Sequence, residues 1–485
     1  MKNRSFLKNA AVISLGGLAA KVIGALYRFP LTGLLGGYGM GLYQMAYPFF
    51  LVLLTFSSTG IPTALARMIA RERAQGRDTG TVRTALNLFA LLGLVGSLLM
   101  CLLAPYMSAL QGDPALKNCY YALAPSVFLV ALIAVLRGYF QGKSDMVPTA
   151  VSEIAEQLFK ACAGLYFAYK FSFDPALAVA FTLFAVTLSE IFALFCLFVR
   201  YRAEGGRKLL SVRRTTGREI LFAALPVMAA ASLLPLSGMA DSVIIVRLLS
   251  RHTDRAVALY GLFAGGAVTL AHLPATLSYG LAVSSVPSVS RAFARGDEEE
   301  GRRRALRALG LSLVLSVPCT LALFFFAEPI TRLLYSGLSA EDFSVLVRLV
   351  RLTAVSAITV SAVDILAACL AGMGRARRAA VSMLVAIVIK ITLQVVLVSN
   401  PALSVSGAAI AANACYLVAF SLDLYYTVSE KTRTRKEYDH GHRIGDGTQG
   451  FDAQGAGDDA ECGRSAPAHG NAPLRRGAKK PRYSV

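Results

Sequence analysis

Apolar residues fall along this chain in long runs, at about 5–27, 39–60, 84–104, 120–140, 148–170, 176–199, 220–249, 257–290, 305–327, 346–372, 379–399 and 403–428. A helix needs about 20 mostly apolar residues to cross a bilayer. Helices also satisfy their own backbone polar groups where no water can. The pattern predicts an all-α polytopic membrane protein with about twelve transmembrane helices. The first run is preceded by Lys2 and Arg4 and includes Lys8, as in a signal peptide, but it is too long and Lys21 interrupts it. An uncleaved first span is expected. The eighth run has room for one span plus a surface helix.

Charge between the runs sets orientation. One set of loops holds Arg67, Arg71, Arg73, Arg77 and Arg83, then seven basic residues over 200–218, six over 291–307, and Arg375, Arg377 and Arg378. The alternate loops, of which 31–38 is read as the first, hold few, with Arg348 and Arg351 as exceptions. Basic loops stay cytoplasmic, so both termini are expected there, in a multi-pass protein of the cell membrane. The chain has 485 residues, 55% hydrophobic and 16% charged, with a net charge of +20. The loops account for most of that excess, and no nucleic-acid partner is needed to explain it. Residues 431–485 lose nearly all large aliphatic side chains and read as a disordered cytoplasmic tail. Its basic residues, Arg475 to Arg482, either touch anionic lipid or are simply solvated.

A repeat lies beneath the runs. Gly142 and Ala150-Val151-Ser152 recur as Gly372 and Ala380-Val381-Ser382, and Lys160 recurs at the same spacing as Lys390. Leu42-Tyr43 matches Leu259-Tyr260, and Arg67 and Arg71 match Arg291 and Arg295. The order implies two parallel six-helix halves, 1–204 and 205–430, around a central cavity. Halves related in this way hold substrate between them near the midplane.

Ionisable residues inside spans are costly and mark function or pairing. Lys21 and Arg28 stand two helical turns apart with Gly24 between them, a face suited to an anion such as phosphate. Snorkelling is the alternative for Arg28, and Gly24 would admit either a ligand or a neighbouring helix. Glu153, Glu156 and Lys160 share a face of the fifth span, where Glu156 and Lys160 suit an i, i+4 ion pair or contact with substrate. Asp241 lies beyond Pro226 and Pro235, which should bend the seventh span. It is a candidate for substrate contact or for H⁺ or Na⁺ coupling, against a cross-helix pair. Glu190 is a second coupling candidate, and Asp364 and Lys390 are weaker ones. His272, before Pro274, lines the cavity or caps a kink.

Other chemistry is sparse. Eight cysteines form no Cys-x-x-Cys pair, and most sit inside apolar runs as small hydrophobes. Five scattered histidines suggest no zinc site. No nucleophile, base or phosphate-loop cluster stands in the loops, so neither an enzyme nor a cofactor is expected.

The stretch Ala20-Lys21-Val22-Ile23-Gly24-Ala25-Leu26-Tyr27-Arg28 resembles the first helix of the stage V sporulation protein B group, in the multidrug/oligosaccharidyl-lipid/polysaccharide exporter superfamily. So do Gly39-Met40-Gly41-Leu42-Tyr43-Gln44-Met45-Ala46-Tyr47-Pro48, Ser58-Thr59-Gly60-Ile61-Pro62 and Arg137-Gly138-Tyr139-Phe140-Gln141-Gly142. The resemblance covers about residues 1–428 and is sharper in the first half. It implies an alternating-access flippase for undecaprenyl-linked wall or polysaccharide precursors, lipid II above all, with Lys21 and Arg28 near the diphosphate. Members usually have fourteen helices. Twelve suit the multidrug branch, whose cation-coupled exporters of drugs or metabolites are the alternative reading.

Overall fold

The computed structural model describes residues 2–75, 81–203 and 217–429. All regular elements among them are helical. The first set is α1 (Lys2–Leu26), α2 (Arg28–Ser58), α3 (Ile61–Ala74), α4 (Thr81–Gln111), α5 (Leu116–Gly142), α6 (Val147–Lys170) and α7 (Pro175–Ala203). The second set begins with α8 (Gly217–Ala231), α9 (Leu233–Leu249), α10 (Ala256–Gly261), a π-helical segment (Leu262–Ala267), α11 (Val268–Ala271) and α12 (Leu273–Ala294). It ends with α13 (Glu298–Phe325), α14 (Ala327–Leu334), α15 (Ala340–Gly372), α16 (Ala376–Val398) and α17 (Val405–Val428).

Eight helices among the described residues are long and apolar enough to cross a membrane, or nine with the bent α10–α12 assembly taken as one. One of the eight, Leu15–Ala74, is 60 residues long and runs through α1, α2 and α3. At about 1.5 Å per residue that is far more than one crossing. It contains two. α6 is long enough but carries Glu153, Glu156 and Lys160, and α8 and α9 are two pieces of one span. The crossings thus match the twelve apolar runs. The expected boundary at 204/205 and the tail 431–485 lie outside the described residues.

The helices break where the backbone lacks a donor or turns left-handed. Pro235 has no N–H to offer the carbonyl of Ala231, and α8 gives way to α9 at Ser232. The long eighth run becomes α10 through α12, bent by 45° at His272, with Pro274 in the first turn beyond. Two expectations about loops need correction. Residues 31–38 lie within α2, which is interrupted at Gly36 with φ +64°, a conformation glycine adopts freely. The basic stretch after the second run is α3, not a loop: Gly60 turns the chain and Pro62 opens the helix. Ile61, Leu65 and Ile69 bury one face of it, leaving its arginines on the other.

The first set packs α4 on α5, α5 on α7, α6 on α7 and α3 on α5. The second set repeats this, with α13 on α15, α15 on α17, α16 on α17 and α12 on α15. The sets meet along several helix pairs, α2 on α9 and α3 on α8 among them, and two further places matter here. At one, α1 touches α12. At the other, α2 crosses α10 and the π segment through Gly37, Gly41, Gly261 and Gly265. There a β-carbon on Gly261 would collide with the Gly37 carbonyl, and one on Gly41 with that of Val257. Without side chains the backbones approach and van der Waals contact holds them. Arg255 braces the same end by pairing with Glu341 and Asp342.

Substituting Gly261 or Gly41 by Ala should therefore wedge this crossing open. A cost of about 1–3 kcal/mol is expected for overpacking, seen as a lower Tm in detergent. Gly310→Ala, with open space around it, should lose nothing; equal losses in all three would deny the seam its role.

Candidate functional site

Two cavities adjoin in the interior. The larger, of about 570 Å³, is lined from α1 by Lys21 and Gly24, from the start of α2 by Arg28, and from α5 by Arg137. From α6 it takes Glu153, Glu156, Gln157 and Lys160, and from the kink and α12 it takes His272, Thr276 and Tyr279. The smaller, of about 230 Å³, is lined by Gln44, Ser237, Asp241, Tyr260, Lys390, Gln394 and Tyr416, among others. Arg28 and His272 line both.

The structure thus brings Lys21, Gly24, Arg28, Glu156, Lys160 and His272 to one cavity, and joins Asp241 to them through the two shared residues. Arg28 opens α2 rather than closing the first helix, because Tyr27 interrupts the helix between them. It turns inward to the cavities instead of snorkelling. The Gly24 position is filled by a helix neighbour: a β-carbon there would sit 3.0 Å from Oε1 of Gln157 on α6. The Lys21 ammonium lies over the Tyr279 ring, 3.5 Å from its centroid. Glu190 lines neither cavity; it is 3% exposed and accepts a hydrogen bond from Ser126.

The ion pairing differs from expectation. Glu156 does not take Lys160 but Arg137, at 2.9 Å across from α5, and the Arg137 Nε also donates to Ser152 at 3.1 Å. A guanidinium reaches two acceptors on one face of α6, which an ammonium on the same helix does not match. Asp241 takes the cross-helix alternative. Its Oδ2 lies 2.6 Å from the Lys390 ammonium, which donates also to Ser237 at 2.6 Å. Arg28, Lys21 and Lys160 form no ion pair among the described residues. Four cations against two carboxylates line the larger cavity, and it therefore attracts anions. His272 stands at the kink, where its side chain makes no capping hydrogen bond, and lines both cavities, its ring edge-on to Tyr416 at 5.6 Å.

Three residues of consequence escaped the sequence reading. Arg137 is an ionisable group inside the fourth run, noticed only as part of a motif. Gln394 follows Lys390 by one helical turn on α16 and so shares its face. Asp423, 1% exposed on α17, is an acidic residue inside the last run.

Residues 6–293 match the polysaccharide biosynthesis protein family, and residues 226–396 match MatE. The chain belongs to the polysaccharide biosynthesis protein family. Stage V sporulation protein B of Bacillus subtilis (strain 168) is 26% identical over 430 residues, covering 85% of this chain and 81% of that protein. Lipid II flippase MurJ of the same organism is 20% identical over 421 residues, covering 81% and 77%. A multidrug resistance MATE family transporter in an inward-facing conformation superposes with a TM-score of 0.71 at 16% identity, covering 87% of this chain and 96% of that one. This polysaccharide biosynthesis family member is therefore a transporter of the multidrug/oligosaccharidyl-lipid/polysaccharide exporter superfamily, with its twelve-helix fold.

In this family member the pair Asp241–Lys390 should stabilise the fold. Asp241→Asn leaves a buried ammonium without its counter-charge and should cost up to about 3–5 kcal/mol, read as a lower Tm. Asp241→Leu with Lys390→Met should recover most of the loss. A double variant as unstable as the single one would place the stabilisation elsewhere.

Proposed function

We propose that this chain flips a lipid-linked, phosphate-bearing glycan precursor of the cell wall or of surface polysaccharide, of the lipid II kind, across the cell membrane. Movement is by alternating access between two halves, 1–204 and 205–430. The observation that carries this is Arg28, a guanidinium without an ion-pair partner among the described residues, set where the two cavities meet. Lys21 and Lys160 stand beside it in the larger one. Such a group remains costly until an anion arrives, and phosphate accepts a guanidinium fork. Lys21, Arg28 and Lys160 hold the phosphate, with Gly24, Glu156 and His272 shaping the wall. Relatives named for sporulation and for lipid II flipping support the reading.

The basic loops put both termini in the cytoplasm. The glycine crossing then lies at the outer end and holds the two halves together there. Of the two coupling carboxylates considered, Asp241 is the better placed for H⁺ or Na⁺, because it lines a cavity and Glu190 does not. The match of residues 226–396 to MatE favours a second reading, a cation-coupled exporter of drugs or metabolites. The excess of cations in the larger cavity counts against cationic cargo.

The decisive experiment is rescue of a strain depleted of its lipid II flippase. The wild-type chain should restore growth. Lys21→Ala with Arg28→Ala should reach the membrane and fail, each lost charged hydrogen bond weakening binding by roughly 10- to 100-fold. Full rescue by the double variant would remove the phosphate clamp; no rescue together with drug efflux would favour the second reading. Reporter fusions after Ser429 should be active only as cytoplasmic reporters, and an external readout would overturn the orientation.

A further inference from the structure

The phosphate reading uses the smaller cavity only through Arg28, yet this space is lined by buried polar groups that the reading leaves without a role. Gln394 is 0% exposed, and neither its amide oxygen nor its nitrogen has a hydrogen-bond partner among the described residues. Nε2 of His272 and Oδ1 of Asp241 are likewise buried and unpartnered. All three residues line this one chamber. Buried polar groups are nearly always satisfied, and each orphan asks for a water or a ligand. Four orphaned atoms around one space make that demand collectively.

Their chemistry narrows the ligand. The amide of Gln394 offers a donor and an acceptor, Asp241 an acceptor, and His272 either. Lys390 cancels the charge of Asp241, so the chamber presents hydrogen bonds rather than net charge, except at its mouth. There stands Arg28, shared with the cation-rich cavity. Tyr260 and Tyr416 add aromatic walls. Paired donors and acceptors beside aromatic rings suit a neutral ring carrying hydroxyl or amide groups. The volume of about 230 Å³ has room for one such ring and not for an oligosaccharide.

We propose that this chamber is the subsite for the single sugar bonded directly to the phosphate, with the phosphate at Arg28 and the ring against Gln394, His272 and Asp241. This rests on the phosphate reading of Arg28 and adds to it: the protein reads the identity of the first sugar, through one half of the molecule, while the other half holds charge.

The test measures binding of two soluble probes, a hexose 1-phosphate and inorganic phosphate, to the full chain in nanodiscs by calorimetry. The wild type should bind the sugar phosphate at least five-fold more tightly. Gln394→Leu should bring the ratio of the two affinities close to one, and His272→Phe, which keeps a ring against Tyr416, should lower it as well. Gln394→Leu removes an unsatisfied amide, so its Tm should hold or rise; a misfolded protein is thereby recognised, and the His272 variant then decides. A wild-type ratio of one would mean that the chamber holds water alone, and the inference falls while the phosphate reading stands. An unchanged ratio in both variants would also overturn it. Failure of the wild type to bind either probe would sink the phosphate reading and this inference together.

Discussion

Charge kept away from water is the constraint on which this structure turns. The bilayer penalises every ionised side chain within a span, so each must be answered by a partner, by water in a cavity or by cargo. The chain answers some and leaves others. Arg137 is given to Glu156 and Ser152, and Lys390 to Asp241 and Ser237. Breaking a buried pair costs more than the pair contributes, and these groups therefore tie α5 to α6 and α9 to α16. Lys21, Arg28 and Lys160 have no ion-pair partner among the described residues. All three stand on the walls of one cavity.

The internal repeat makes the same point from another side. Lys160 on α6 and Lys390 on α16 are equivalent in sequence, and both are nearly buried, at 9% and 8% exposure. One set of helices answers its lysine with a carboxylate from a neighbouring helix; the other leaves it facing the cavity. Equivalent backbones thus carry opposite electrostatics. The cation-rich chamber and the near-neutral one differ by the placement of a few acidic residues, not by architecture. Arg28 and His272, at the interruptions of the helices that bound both spaces, are where the two environments meet.

Much of this was legible in the chain. Apolar runs of span length leave no alternative to helices, so all twelve runs reappear as crossings. Span charges such as Lys21, Arg28 and Lys160 were conspicuous because they are expensive. What was hidden is what depends on neighbours distant in sequence. The pairing of Glu156 with Arg137 rather than Lys160 depends on how α5 lies against α6, which helical spacing does not encode. The cross-helix partner of Asp241 is 149 positions away, and only packing brings the two together. Residues 31–38 read as a loop because four of them are glycine or tyrosine rather than long aliphatics, yet Gly36 permits helix on both sides. Gln394 passed unnoticed for a plainer reason: an uncharged amide in an apolar run gives little contrast.

The glycine crossing connects these chambers to motion. Interlocked backbones with no side chains between them gain many small dispersion contacts and bury little polar surface. Such a joint can separate without stranding charge, whereas a joint made of ion pairs would expose charges within the membrane. The charged brace, Arg255 with Glu341 and Asp342, joins the ends of α10 and α15 within the second set and so does not cross that joint. Alternating access requires one end to part while the other closes. Under the alternating-access proposal, a joint of glycine contacts rather than ion pairs keeps that exchange inexpensive. The paired charges beside the cavities likewise lie within one set each and would not have to break under that proposal.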